Sequence, residues 1–311
     1  MPPRIAARGV QAHRVGVRAR TGPVRCFRRG AMPDSRVLAD RRRSSKTDRA
    51  PLAIAAALRR RFRARHTVYG AWSSIGHPEI VSLFAGAKGH FVGVDLEHTT
   101  TDLAAIQAMI RACHEHRRPC LPRVFPGHIE QMRRLLDAGA DGVIVPQVSS
   151  RAEIDRLVGA LRYPPEGQRS FGVAAAHQYG RAFASYVKRA NESLSLIVQV
   201  ETKAGVEQID AIASHPAVDG VMIGPYDLSG SLGVPGVLAH PSVVKASKRV
   251  IDACAKAGVS CGTHVIRPSL SELRQQFKAG FTFFILGSDV FNLQQRSEEL
   301  DAMMDACGGV A

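Results

Sequence analysis

The stretch Phe91-Val-Gly-Val-Asp-Leu-Glu-His98, FVGVDLEH, begins as an apolar run and ends in three ionisable side chains. Two interpretations are open. A strand that leaves the core meets water, and polar residues then simply mark its exit. Alternatively, the strand ends at the mouth of a barrel, where catalytic groups are placed. The pattern of the rest of the chain decides between them.

Short apolar runs of this kind recur eight times from about residue 67 onward. They are nearly continuous rather than alternating, which is typical of parallel strands covered on both faces. The runs are Val68–Trp72, Phe91–Leu96, Cys120–Phe125, Gly142–Val148, Leu196–Val200, Val221–Gly224, Ser260–Val265 and Phe281–Gly287.

Between these runs the apolar period changes to that of a helix. Ile106, Met109 and Cys113, for example, share one helical face. Glycines able to end a helix in the left-handed conformation follow three such segments, at Gly139, Gly258 and Gly280. Eight strand–helix units predict an α/β fold, a (β/α)₈ TIM barrel. A doubly wound open sheet is the second choice, disfavoured because no Gly-rich phosphate loop follows the first strand.

The net charge of +15 is not spread over the chain. Residues 1–66 hold 19 Lys and Arg against 3 Asp and Glu, whereas residues 67–311 hold 23 against 24. The basic character therefore belongs to an N-terminal arm, and the body of the protein is close to neutral. We predict an Arg-rich, disordered extension over residues 1–50 and one barrel domain over residues 51–311.

Three interpretations of the arm stay open. In the first, the arm is a solvated extension or sequence upstream of a true start at Met32. In the second, it is an organelle presequence, since it is rich in Arg and poor in acidic residues. In the third, it binds nucleic acid or an anionic surface. The last is disfavoured because few aromatic residues accompany the arginines to stack on bases. We expect a cytoplasmic protein, or a mitochondrial one if the arm is a presequence.

Neither the hydropathy pattern nor the cysteines point to a membrane or secreted protein. No run of 18 or more apolar residues occurs, so no membrane span is expected. The six cysteines form no C-x-x-C pair, which indicates reduced thiols of an intracellular protein.

Chemistry-bearing side chains follow several of the predicted strands, and active sites of such barrels lie at the carboxyl ends of the strands. His98 follows the second run, and Arg123 lies in the third. Gln199 and Glu201 are two residues apart at the end of the fifth and so face the same side. Asp227 follows the sixth. Two carboxylates from adjacent strands suit a hard divalent cation such as Mg²⁺ or Mn²⁺.

One interval breaks the strand–helix rhythm. After a predicted helix over Arg151–Leu161, the chain enters a long segment without regular pattern, Tyr163–Leu194. Structureless loops of this length in a compact domain are usually functional or form contacts. We interpret the segment as a lid over the site or as a subunit interface.

Several motifs together resemble those of the HpcH/HpaI aldolases, which are metal-dependent class II pyruvate aldolases. They are GVDLEH, the Arg after RPCLP, LLDAGADGVIVPQV, RYPPEGQRSFG, VQVET, GPYDLSGSLG and FFILGSD. The resemblance covers about residues 51–293. It implies a phosphoenolpyruvate/pyruvate-type barrel that assembles as a homo-oligomer, commonly a hexamer built as a trimer of dimers.

The resemblance also implies roles for individual residues. Glu201 and Asp227 match ligands of a divalent cation, Mg²⁺, Mn²⁺ or Co²⁺. Arg123 matches the arginine beside the keto oxygen of pyruvate. His98 matches the catalytic base, and Asp137 matches its partner.

Further positions match the surroundings of the substrate. Gln199 matches a polar residue near it, and backbone N–H groups around Gly224, Tyr226 and Asp227 match the site of the pyruvate carboxylate. Trp72, the only tryptophan, ends the first strand and either forms the floor of the pocket or packs in the core. His177 and His264 also lie near strand or loop ends, where histidines more often have a structural role than a catalytic one.

The chain departs from the family pattern at Thr99, Gln147 and Ser170, where Gly, Met and Gly are usual. The first two lie near the predicted mouth, where the acceptor aldehyde would sit. These two departures do not affect the predicted pyruvate-binding residues, but the identity of the aldehyde stays open.

The expected chemistry is consistent with these residues. Cleavage of a 4-hydroxy-2-oxo acid requires removal of the 4-hydroxyl proton and stabilisation of the enolate that leaves. A divalent cation would act as Lewis acid, Arg123 would add a second positive charge, and His98 would carry the proton. A Schiff-base lysine is disfavoured because none of the eight runs contains Lys.

We therefore predict an aldolase that cleaves a 4-hydroxy-2-oxo acid or a 2-oxo-3-deoxy acid to pyruvate and an aldehyde, in the catabolism of aromatic or sugar acids. One alternative is a lyase of CoA thioesters of the malyl or citramalyl type, disfavoured because the body has no obvious basic cluster for CoA. Another is a non-catalytic barrel that uses the basic arm to bind nucleic acid.

Overall fold

The structure, a computed structural model, describes residues 52–308. The Arg-rich extension predicted for residues 1–50 lies outside these residues, so its boundary with the barrel domain and the location of the protein in the cell both stay predictions. Within the described range, no helix combines the length and the apolar character needed to cross a bilayer.

Eight parallel strands close into a barrel, which confirms the predicted (β/α)₈ fold. Each strand pairs with the next along the chain, and the last returns to the first, with Val68 opposite Phe283. The strands are β1 Val68–Ser73, β2 Phe91–Asp95, β3 Cys120–Arg123, β4 Gly142–Val145, β5 Ser195–Val200, β6 Gly220–Ile223, β7 Ser260–Val265 and β8 Phe283–Leu286.

Helices surround the barrel and connect its strands. They are α1 Ala53–Arg63, α2 Pro78–Gly86, α3 Leu103–Glu115, α4 Ile129–Ala138, α5 Arg151–Leu161, α6 Phe183–Ser193, α7 Lys203–Glu207, α8 Ile209–Ala213, α9 Pro225–Ser231, α10 Pro241–Ala257, α11 Leu270–Ala279 and α12 Asp289–Ala306. The predicted left-handed caps are confirmed, since φ is 111° at Gly139, 72° at Gly258 and 105° at Gly280.

The interior of the barrel is a packed apolar cluster that α1 closes at the amino ends of the strands. Phe62 of α1 lies edge-on to Phe283, with ring centroids 5.3 Å apart. The cluster comprises Leu58, Phe62, Val68, Trp72, Phe91, Leu121, Ile144, Ile197, Met222, Phe283 and Ile285. Because this end is filled, a ligand can approach the interior only from the carboxyl ends of the strands.

Glycines make room for the large rings inside the barrel. A Cβ on Gly93 would lie 2.5 Å from the Trp72 ring, so only glycine fits there. Side chains alternate along a strand, and Phe91, Gly93 and Asp95 therefore share the inner face of β2. This alternation brings the Asp95 carboxylate to the mouth of the barrel.

The segment Tyr163–Leu194 is more regular than its sequence indicated. It contains a 3-10 turn at Ala175–His177 and the helix α6, so the prediction of an irregular segment is wrong for its second half. Tyr186 and Ala190, four residues apart on α6, are both buried, which is the helical period.

The segment also lies at the opposite end of the barrel from the mouth. It joins α5 to β5 and therefore passes the amino ends of the strands. There Arg169 donates to Asp137 at 2.7 Å, and the carbonyl of Asn191 accepts from Arg59 of α1 at 2.8 Å. The lid interpretation is consequently wrong for its own barrel, whereas the interface interpretation stays a prediction.

Candidate active site

The inner faces of the strands end in a ring of polar and aromatic side chains. Its members are Trp72 from β1, Asp95 from β2, Arg123 from β3, Gln199 and Glu201 from the end of β5, and His264 from β7. Gly224 follows β6 directly, and Asp227 stands exposed in the first turn of α9. Most of the predicted site residues thus meet at one mouth.

Arg123 is held in one orientation by its neighbours. Its Nε and Nη2 donate to the two Asp95 oxygens at 3.0 and 2.8 Å, and Nη1 lies 3.2 Å from Glu97 Oε2. The guanidinium also lies 5.0 Å from the centroid of the Trp72 ring. Trp72 is buried, so it forms the floor beneath Arg123.

Asp95 and Glu97 were noted in the sequence as ionisable groups at the end of a strand, but no role in the site was predicted for them. A signal for Asp95 was present, because it lies at even spacing from Phe91 and so faces the interior of the barrel. Together the two carboxylates offset the charge of the buried guanidinium and fix its plane. Burial, the larger effect, raises the pKa of Glu97 although the charge of Arg123 lowers it.

Glu201 is a buried carboxylate with both oxygens bonded. Oε1 accepts the backbone N–H of Gln147 at 2.8 Å, and Oε2 accepts from Nε2 of Gln199. Burial raises the pKa of Glu201 to about 7, and the negative charges of Asp227 and Glu97 act in the same direction. The two hydrogen bonds oppose this rise.

Gly224 leaves the space that the Glu201 carboxylate occupies. A Cβ at this position would lie 2.2 Å from Glu201 Oε2 and 2.9 Å from Gln199 Nε2. Just beyond it, the backbone N–H groups of Tyr226 and Asp227 have no hydrogen-bond acceptor within residues 52–308. The Tyr226 side chain points into solvent, with 66% of it exposed.

The residues around Glu201 fit a hard divalent cation. Oε1 of Gln199 is buried and has no hydrogen-bond partner in the described part of the chain. With the carboxylates of Glu201 and Asp227 it offers an oxygen-only donor set, the kind that Mg²⁺ and Mn²⁺ prefer. In residues 52–308 no three His, Cys, Asp or Glu side chains lie close enough to enclose an ion. A cation held by the two carboxylates would keep coordination positions for water and substrate.

The structure does not bring Asp137 to His98 within one chain. His98 is exposed at the mouth, and its Nε2 lies 3.7 Å from Glu97 Oε2, beyond hydrogen-bonding distance. Asp137 is in the last turn of α4, which runs back to the amino ends of the strands, and it pairs there with Arg169. The predicted pairing of these two residues would need a second copy of the chain.

The sequence profile of the HpcH/HpaI aldolase/citrate lyase family matches residues 68–295, which span all eight strands. The chain belongs to this family. As a member, this HpcH/HpaI protein is an enzyme, a carbon–carbon lyase of the aldolase type.

Named relatives support this assignment. The chain is 33% identical over 243 residues to a hydroxypyruvate/pyruvate aldolase of Pseudomonas aeruginosa, covering 78% of this chain and 90% of the relative. It is 29% identical over 238 residues to a 5-keto-4-deoxy-D-glucarate aldolase of Escherichia coli, covering 76% and 92%. A solved HpcH/HpaI aldolase/citrate lyase family protein of Burkholderia cenocepacia superposes with a TM-score of 0.76 at 29% identity, covering 81% of this chain and 99% of that one.

The raised pKa of Glu201 predicts a pH-dependent stability of the cation-free protein. Its value is about 7 in the folded chain against an ordinary value of 4.5. Between these values the unfolded chain releases the proton first, so the free energy of unfolding falls as pH rises through that window, by about 3 kcal/mol in total. Thermal melts in EDTA at pH 5 and pH 8 measure this. Glu201→Gln should lack this loss, and an equal pH dependence in both proteins would contradict the assignment.

Proposed function

We propose that the protein is a divalent-cation-dependent aldolase that cleaves a 4-hydroxy-2-oxo acid or a 2-oxo-3-deoxy acid to pyruvate and an aldehyde. The observation that carries the proposal is the buried Glu201 carboxylate, set beside Gln199 and Asp227 at the same mouth as the fixed Arg123. Catalysis of this type needs positive charge beside the oxygen on which the negative charge of the enolate develops. Arg123 can supply it from one side, and a cation held by Glu201 and Asp227 could supply it from the other.

Each side chain has a task in this reaction. Glu201 and Asp227 are the residues that would hold a cation such as Mg²⁺, Mn²⁺ or Co²⁺, which would supply Lewis-acid chemistry when bound. Arg123 stabilises the negative charge that grows on the keto oxygen. Its bonds to Asp95 use one hydrogen each from Nε and Nη2, so Nη1 and Nη2 keep hydrogens for the substrate.

The two ends of the substrate find different partners. The N–H groups of Tyr226 and Asp227, which have no acceptor among residues 52–308, can donate to the carboxylate, whereas Pro225 before them has no N–H. At the outer end of the site, neither ring nitrogen of His98 is hydrogen-bonded within residues 52–308. His98 can therefore take the proton of the 4-hydroxyl group and return it to solvent.

A pyruvate-release screen over short and long 4-hydroxy-2-oxo acids, with and without chelator, tests the proposal. We expect release with at least one substrate, loss of release in EDTA, and recovery on addition of Mg²⁺, Mn²⁺ or Co²⁺. Borohydride added with pyruvate should trap no adduct. Chelator-resistant release, or a covalent lysine adduct, would overturn the cation-dependent mechanism.

We further propose that the protein works as a homo-oligomer, a hexamer built as a trimer of dimers. Only Asp289 of the long helix α12 is buried, and apolar side chains such as Leu293 and Met303 are exposed on it. Exposed apolar surface of this kind is typical of a protein interface. Assembly would also let Asp137 of one copy meet His98 of another.

Light scattering on the chain without residues 1–50 measures the assembly. We expect a mass that is a multiple of the dimer, with α12 and the segment Tyr163–Leu194 in the contacts. Leu293→Asp together with Met303→Asp should lower that mass and the activity in parallel, because buried charge destabilises an apolar contact. A fully active monomer at micromolar concentration would refute the shared-site arrangement.

A further inference from the structure

Gln147, two residues beyond the end of β4, has a backbone conformation that is unusual for its residue type. Its φ is 57°, in the left-handed region that favours glycine. The side chain is exposed, so packing in the core does not explain this conformation. A strained residue of this kind persists only where its surroundings hold it, and such residues are common at functional sites.

The conformation inserts one extra residue where β4 leaves β5. Val145 is level with Val198 in the parallel ladder. If the ladder continued without interruption, the carbonyl oxygen of Gln199 would accept the N–H of Gln147. It accepts the N–H of Val148 instead, at 3.1 Å. Gln147 is therefore a β-bulge, and its N–H takes no part in the ladder.

The N–H released by the bulge donates to the carboxylate of the proposed cation site. The nitrogen of Gln147 lies 2.8 Å from Glu201 Oε1. The other oxygen, Oε2, accepts from the side chain of Gln199, which can rotate. The backbone of Gln147 cannot turn its N–H away without leaving the bulge. Of the two bonds, the one from the bulge therefore fixes the orientation of the carboxylate.

Neighbouring contacts hold the bulge in place. The N–H of Ser149 donates to Glu153 Oε2 at 2.8 Å, and Oγ of Ser149 lies 2.7 Å from Oγ1 of Thr202. A Cβ on Gly205 would lie 2.9 Å from the carbonyl oxygen of Val148, so the backbone of α7 packs directly against the turn. These contacts tie the bulge to the segment after β5, which also carries the carboxylate.

We propose that Gln147 is a positioning residue, whose left-handed backbone aims its N–H at Glu201 Oε1 and so orients the carboxylate before a cation binds. This inference rests on the proposed function, because Glu201 is a residue that would hold the cation. Loss of a partner that orients a metal ligand typically weakens metal binding by about 10- to 100-fold. The main chain carries this role, so the departure from the family pattern at position 147 does not affect it.

Two substitutions separate the backbone of Gln147 from its side chain. Gln147→Pro removes the N–H and cannot adopt a positive φ. Gln147→Gly removes only the side chain, keeps the N–H and enters the left-handed region readily. The inference therefore predicts opposite results for the two variants.

A second pair of variants controls for backbone strain alone. Valine is strongly disfavoured at a positive φ because it is β-branched. Gln147→Val is matched by Gln178→Val, since Gln178 is also exposed and also has a φ of 57°. Gln178 lies in the segment Tyr163–Leu194 at the other end of the barrel, and its N–H donates to the carbonyl of Ala175 rather than to a site residue.

The measurement is the dissociation constant of Mn²⁺ for the full chain, from the electron paramagnetic resonance signal of free Mn²⁺, together with thermal melts. We expect Gln147→Pro to bind Mn²⁺ at least about tenfold more weakly than the wild type. Gln147→Val should also bind more weakly, whereas Gln147→Gly should bind at least as tightly as the wild type. Gln178→Val should lower the melting temperature and keep the wild-type affinity.

Wild-type affinity in Gln147→Pro would overturn the inference, and so would an equal loss of affinity in Gln147→Gly or in Gln178→Val. If Gln147→Pro does not fold, Gln147→Val is judged by the same criterion. A wild type that shows no saturable binding of Mn²⁺ would instead overturn the proposed function, and this inference with it.

Discussion

Replacing Glu201 by glutamine should lower kcat/KM for aldol cleavage by at least about 10³-fold while the fold survives. The variant removes the buried negative charge that would hold a cation. It keeps the shape, and the Gln147 N–H can still donate to the new amide oxygen. The Gln199 amide can rotate so that its Oε1, which has no partner among residues 52–308, accepts from the new NH₂ group.

Pyruvate release with saturating Mn²⁺ measures the loss, and circular dichroism checks the fold. Asp227→Asn should give a loss of the same kind, because it supplies the second carboxylate. Glu207→Gln is the matched control, since Glu207 is exposed and makes no ion pair among the described residues. Glu201→Gln activity within tenfold of the wild type would refute the assignment of this carboxylate.

Arg123→Lys should cost about 10²-fold in kcat, the scale of losing one donor to a developing oxyanion. The planar guanidinium binds both oxygens of Asp95, approaches Glu97 and lies over Trp72 at the same time. A lysine ammonium keeps the charge but cannot meet all these partners and a substrate oxygen together. The lower kcat should come with lower thermal stability, because the buried Asp95 carboxylate loses its two hydrogen bonds and Glu97 loses its ion-pair partner.

Steady-state kinetics with one fixed substrate separate kcat from KM for this variant. Arg249→Lys is a suitable control, because Arg249 makes a two-oxygen ion pair with Asp210 on the exposed surface. A lysine variant at position 123 within a few-fold of the wild type would show that bulk charge alone is sufficient.

The barrel could be predicted because its physical cause is local. A strand covered on both sides must be apolar along its length, so each strand can be recognised in the sequence as a short apolar run. The same logic located Glu201, since a carboxylate at the end of such a run has to lie at the mouth. The pairing of Arg123 with Asp95 was missed because the partners come from different strands, and only the closed sheet aligns them.

The segment Tyr163–Leu194 shows where local pattern fails. Its shape depends on Arg169, which is buried with its guanidinium 4.6 Å from the Tyr163 ring and bonded to Asp137 on another helix. A buried arginine cannot be recognised from its neighbours in sequence. The end of the barrel at which the segment lies could nevertheless have been predicted from the sequence. Any connection from a helix to the next strand passes the amino ends of the strands.

The seam between β1 and β8 has a consequence for how the protein is made. Val68 is paired with Phe283, and Phe62 packs on the same ring, so the first and last elements of the barrel complete each other. During synthesis on the ribosome, the edge of β1 that pairs with β8 stays unpaired until nearly the whole polypeptide has emerged. A nascent or prematurely terminated chain that stops before β8 would expose the unpaired edges of β1 and β7 and the side chain of Phe62. Such species aggregate or bind chaperones.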